Sequence, residues 1–208
     1  MRKTKRGKNP DARFKHSRNR ILNAAREEIV RYGAAGARIN RIAEAAGTSK
    51  ERMYAYFRNK ADLVDAVMQE RHRQVDQATQ FDATDLLGYM GRLFDFYATH
   101  PDDVRLSQWL ALDKTLSILD ADDPRIISLK KRMGLIREAQ RAGVIDAHWE
   151  PLTLLNLLVG LALSWATAPQ FVHQIDPWVG KRTQMQMRRH AVIEAARRLV
   201  GNAAKESA

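Results

Sequence analysis

The sequence predicts an all-α protein of about nine helices: an N-terminal three-helix head with a helix-turn-helix, then a larger helical body. Three observations carry this prediction. Apolar residues recur at three- and four-residue intervals, with no run that alternates polar and apolar. The prolines are confined to positions 10, 101, 124, 151, 169 and 177, between segments of helical periodicity. Residues 38 to 57 place small, apolar and glycine residues where two short crossing helices need them.

The basic charge is unevenly spread. Residues 1 to 60 hold 17 Lys and Arg against 5 Asp and Glu, a surplus of 12, whereas the remaining 148 residues hold 18 against 19. A basic head on a charge-balanced body suits a polyanion partner, because neutralised phosphates release counterions and supply affinity that does not depend on sequence. A solvated basic tail is the alternative.

Taken in order, residues 1 to 16 read as a basic, disordered arm in which Arg2, Lys3, Lys5, Arg6 and Lys8 either track DNA or merely solubilise. A first helix over about 17 to 32 carries Ile21, Ala24, Ala25, Ile29 and Tyr32 on one side, with Ser17 as its N-cap and Gly33 beyond its end. A second follows over about 38 to 45 and a third over about 49 to 57. A long fourth begins near Asn59 and Lys60. Further helices are expected over about 83–99, 102–119, 124–142, 151–168 and 178–200, so the domains divide as 17–62 and 63–208.

Within the helix-turn-helix, Ile39, Ile42, Ala43 and Ala46 face inward, and Gly47 stands where the turn needs a left-handed residue. Thr48 with Glu51 reads as a capping box for the third helix, and Met53 and Phe57 define its buried side. Glu51, Arg52 and Ala55 then project the opposite way, and Lys50 lies at the N-terminal end that reaches base edges in a major groove. Tyr54 reads equally as a core aromatic.

Ile21, Ala24-Ala25, Gly33, Ile42-Ala43, Ala46-Gly47, Ser49, Tyr54, Tyr56-Phe57, Lys60 and Leu63, in this order and spacing, resemble the TetR family of bacterial transcriptional regulators. The resemblance implies a cytoplasmic homodimer that binds a palindromic operator in double-stranded DNA and is released by a small molecule. It places Thr48, Lys50 and Arg52 at base edges and Tyr54, Tyr56 and Lys60 at phosphates, with Ser49 beside them. Ala37 stands where such proteins have a capping Ser or Thr, and Arg38 is the candidate replacement for its phosphate contact. The resemblance pairs the helices about 151–168 and 178–200 with those of a partner subunit.

The effector is unknown, and its pocket is expected among helices 83 to 168. Phe94, Tyr97, Trp109, Asn156 and Trp165 are the candidate lining residues, each also explicable as plain core. Enzyme chemistry finds no support. There is no cysteine, no His-Glu-x-x-His, no Gly-x-Ser-x-Gly and no glycine-rich phosphate loop, so no catalytic residue, cofactor or metal is expected. His16, His72, His100, His148, His173 and His190 lack metal-ligand spacing. The apolar stretch 152–168 is broken by Thr153, Asn156, Ser164 and Thr167 and falls short of a membrane span of about 20 residues. A non-specific DNA-coating protein and a regulator answering to a protein partner remain the rival readings.

Overall fold

A computed structural model describes residues 10–112, 119–169, 171–172 and 181–201. Among these residues every regular element is helical: α1 (Pro10–Gly36), α2 (Ile39–Ala45), α3 (Lys50–Tyr54), α4 (Lys60–Thr79), α5 (Leu86–Thr99), α6 (Pro101–Leu112), α7 (Pro124–Arg141), α8 (Pro151–Leu163) and α9 (Lys181–Val200). Four of the six prolines open helices, α1, α6, α7 and α8, where a missing N–H costs nothing.

Several helix boundaries differ from the sequence expectation, each for a local reason. Helix α1 starts at Pro10 rather than Ser17, so residues 10–16 of the expected arm are helical, while residues 1–9 lie outside the described residues. Its regular path breaks at Gly33, which takes φ 73° and ψ 167°, a conformation essentially reserved for glycine. Helix α3 is shorter than expected, because Tyr56 and Phe57 bond back to the Met53 carbonyl in a closing turn. Helix α5 waits for Asp85, whose carboxylate accepts the Gly88 N–H at 2.9 Å, and α8 stops at Leu163.

The chain forms two compact units, Met1–Arg71 with Arg105–Leu116, and His72–Val104 with Ser117–Ala208. In the first, Ile21, Ala25 and Ile29 of α1 share a core with Ile42, Met53, Leu63 and Leu106. In the second, α5 packs on α8 and α9, and α7 packs on α8, around Tyr89, Met90, Leu93, Ile136, Leu154 and Leu158. No helix among the described residues is long and apolar enough to cross a membrane.

Candidate nucleic-acid interface

The turn between α2 and α3 is built from backbone bonds. Thr48 donates its N–H to the Ala43 carbonyl and Gly47 to that of Glu44, both at 2.9 Å, which is the Schellman pattern with Gly47 at φ 58°. The Arg20 guanidinium donates to the Ala46 and Gly47 carbonyls, and a Cβ at Gly47 would stand 2.6 Å from it. Glycine is therefore required by φ, and a side chain there would also make the Arg20 guanidinium shift.

Thr48 is consumed by that turn, which corrects the expected capping box. The cap of α3 is Ser49, whose Oγ accepts the Arg52 N–H at 3.1 Å. Glu51 adds charge at the same helix start, and its carboxyl is held below the ordinary value by a hydrogen bond to its own backbone N–H and then by the Ser49 hydroxyl.

With Met53 and Phe57 buried, α3 presents Lys50, Glu51, Arg52, Tyr54 and Ala55 to solvent, together with Ser49 at its cap. Tyr54 is thus a surface residue and not a core aromatic. Tyr56 is half-buried under Phe14 of α1, their ring centroids 4.6 Å apart. Lys60 donates from Nζ to the Ala35 carbonyl at 2.8 Å, which pins the α4 start to the α1–α2 turn. The Asn59 side chain caps α4 through the Asp62 N–H, and the Asp62 carboxylate accepts the Arg58 N–H, both at 2.8 Å.

Ala37, where a capping side chain was missing, is buried, and the N-cap of α2 is Arg38, which makes no side-chain cap. Its backbone N–H donates instead to Glu28 of α1 at 2.9 Å. Arg41 donates to the same carboxylate, from Nε at 2.7 Å, while its guanidinium lies 4.3 Å over the Tyr32 ring. Burial raises the pKa of Glu28, but the bonds from Arg41 and Arg38 and the charges of Arg41 and Arg31 outweigh it, and the net value is lowered. This Glu28 node was invisible in the sequence, since its partners lie 10 and 13 residues away and no local pattern links them.

Three of the five candidate effector contacts share the second unit's core. Phe94 and Tyr97 are buried in the second unit's core, and Trp165 packs against that core with the Arg188 guanidinium 4.4 Å from its ring. Asn156 is exposed on α8, on the side away from Leu154, Leu155 and Leu158. Trp109 belongs to the first unit, where its ring covers Gly33 and its Nε1 donates to the Val30 carbonyl at 3.3 Å. A groove of about 420 Å³ between α4 and α5 is walled by Gln74, Gln77, Ala78, Phe96 and His100, none of which was a candidate.

A part-buried polar cluster of the second unit was also missed. Asp76 on α4 accepts from Ser128 at 2.8 Å and pairs with Arg132, both on α7, while Arg132 donates to the Tyr89 hydroxyl of α5 at 3.1 Å. The guanidinium also lies 5.2 Å over Phe81. Burial raises the Tyr89 pKa, so the phenol stays neutral and accepts.

Residues 21–67 match the family described as bacterial regulatory proteins of the tetR family, and residues 85–198 match the tetracyclin repressor-like C-terminal domain. The chain belongs to the TetR family. It is similar to the HTH-type transcriptional repressor SCO4008 of Streptomyces coelicolor, at 33% identity over 87% of this chain and 93% of that one. A second relative is the HTH-type transcriptional regulator TtgR of Pseudomonas putida, at 25% identity over 78% of this chain and 88% of the other. The solved structure of the transcriptional regulator SCO4942 from Streptomyces coelicolor superposes with a TM-score of 0.74 at 37% identity, covering 89% of this chain and 99% of that one. This TetR-family protein is a DNA-binding transcriptional regulator, and its relatives are regulators rather than enzymes.

Proposed function

We propose that this regulator is a homodimeric repressor whose two α3 helices read a palindromic operator and which leaves the DNA when a small molecule binds the second unit. The observation that carries the DNA reading is the exposed face of α3. Lys50, Arg52 and Tyr54 point to solvent on a helix whose opposite side is locked by Met53 and Phe57. Arg52 and Lys50 are the donors for base edges, with Thr48 and Ser49 beside them, and Tyr54, Tyr56, Lys60 and Arg38 meet phosphates. Work on the chromosome puts the protein in the cytoplasm.

The dimer reading draws on α8. Leu152 and Leu157 stay 44% and 37% exposed, and Asn156 and Gly160 are open on the same helix, so one face of an apolar helix lacks a partner within the protomer. A second copy covering this face, with α9, places two recognition helices about one DNA turn apart. Leu157→Asp should convert the dimer to a monomer by light scattering, and a wild-type monomer at micromolar concentration would refute the dimer. The effector acts, in this reading, through α4, which begins with Lys60 in the first unit and ends in the second.

Selection of bound duplexes from a random pool at about 150 mM salt tests the whole. A palindromic winner preferred at least about a thousandfold over a scrambled duplex is the expected result. Absence of any enriched site would favour the non-specific coating alternative.

A further inference from the structure

Helix α2 has seven residues, too few to hold together alone, and its N-cap residue Arg38 supplies no side-chain bond. Side chains of α1 serve both of its ends instead. Glu28 accepts the Arg38 N–H at the start, and Arg20 donates to the Ala46 and Gly47 carbonyls at the finish. Glu28 and Arg20 stand eight positions apart on α1, about 12 Å along a helix, close to the α2 length of about 10 Å. Each also carries the charge that its end of α2 favours, a carboxylate at the N-terminus and a guanidinium at the C-terminus.

The Arg20 end bears on α3. Ala46 is buried, and among the described residues no backbone N–H donates to the Ala46 or Gly47 carbonyl. Gly47 lies three positions before Lys50, the first residue of α3, and α3 is five residues long with Met53 as its buried residue. The guanidinium therefore holds the entry to α3, while Met53 and Phe57 hold its inner side. Together these fixed points set the pitch of the face that carries Lys50 and Arg52.

We infer that Arg20 is a positioning residue for DNA reading, whose bonds to the Ala46 and Gly47 carbonyls fix the angle at which α3 meets the major groove. The inference rests on α3 being the reading helix. Discrimination depends on bidentate geometry at individual base edges, so a loosened α3 loses sequence preference before it loses phosphate-driven affinity. A guanidinium committed to protein carbonyls displaces no counterion from DNA, so its removal leaves the salt dependence unchanged.

The test is binding of the full chain to the duplex selected from the random pool and to a scrambled duplex, over a range of salt and well below each variant's melting temperature. Arg20→Ala should lower the preference for the selected duplex about tenfold, the scale of one good base contact, with the slope of log K against log salt as in the wild type. Arg20→Lys, able to reach one carbonyl, should recover part of that preference. Arg20→Gln, which keeps a donor without the charge, should lose preference at the wild-type slope, and it decides the matter if alanine unfolds the head. A slope lower by about one with preference unchanged makes Arg20 a phosphate contact and overturns the inference. Lower melting with preference unchanged reduces the contact to stability alone and overturns it too. Arg52→Ala separates the two readings: if it relaxes the preference and the Arg20 variants do not, only the Arg20 role fails. If the wild type prefers no duplex, α3 itself is misassigned and the inference falls with it.

Discussion

The Glu28 carboxylate takes the backbone N–H of Arg38 at 2.9 Å and the Nε of Arg41 at 2.7 Å, so an α1 side chain closes the start of α2. Where a helix supplies its own cap, the contact is local. Here it is tertiary, and it orients α2 against α1 while it satisfies the donor. Glu28→Ala should therefore cost about 1 kcal/mol in urea unfolding, because it removes the acceptor shared by a backbone N–H and a guanidinium that water reaches. Glu28→Gln, which keeps one acceptor oxygen, should cost less. Equal stability of the alanine variant and the wild type would show that water replaces the carboxylate.

Gly33 and Trp109 give a second, separable prediction. A Cβ on Gly33 would sit 3.0 Å from the indole, on a residue whose φ of 73° and ψ of 167° already exclude other side chains. Gly33→Ala should cost about 2 kcal/mol from the backbone alone, and more with the indole in place. In a Trp109→Ala background the same change should cost only the backbone share, which a double-mutant cycle measures. A cycle with zero coupling would mean that the ring simply swings aside.

Acid titration should find the depressed carboxylates, Asp123 and Glu28 among them. The Arg125 side-chain hydrogen bond holds Asp123, the N-cap of α7, at about 2 against burial that pushes the other way, and Glu28 is also lowered. A carboxylate with a depressed folded pKa contributes stability in full above its unfolded value, here 3.8 for Asp123, and loses it as pH falls through the folded value. The urea midpoint should thus decline from about pH 4 towards about pH 2. Asp123→Asn, still a good N-cap, should flatten that decline by lowering the midpoint above pH 5 towards its acid value, because the carboxylate's bond to Arg125 is lost. An identical acid limb in the variant would place the titration elsewhere.

On DNA, Arg52 and Lys60 should behave differently. Arg52→Ala should relax the preference at one base pair of each half-site, costing about 1 to 3 kcal/mol on the selected operator and little on random duplex. Lys60→Ala should weaken all duplexes alike and lower the salt slope by about one. The Lys60 bond to the Ala35 carbonyl adds that the lysine variant should also melt earlier, by the loss of one charged hydrogen bond. Matching profiles for the two variants would mean that their roles are wrongly divided.

The helix-turn-helix was legible because its demands are local. Gly47 must be left-handed, Ala43 and Ala46 must be small, and Met53 and Phe57 must share one side of a short helix, so each leaves a mark at fixed spacing. The cap was misread by one residue, at Thr48 instead of Ser49, since both can cap and only the Schellman bond from Thr48 to Ala43 decides between them. The candidate effector residues carry no such local mark. An aromatic residue in a helical pattern reads the same whether it faces the second unit's core, as Phe94 does, or covers a glycine within the first unit, as Trp109 does.

By itself the amino-acid sequence determined the helical class, the proline-marked starts of α6, α7 and α8, the basic head and the turn chemistry around Gly47, all of which follow from spacing along the chain and from what each residue's backbone permits. Only the tertiary structure decided which carboxylate closes α2, which ring covers Gly33, and that Asp76, Arg132 and Tyr89 meet within the second unit. The physical reason is distance along the chain. Such contacts join residues separated by 10 to 79 positions. Their energy depends on how helices pack, and no short-range periodicity records that.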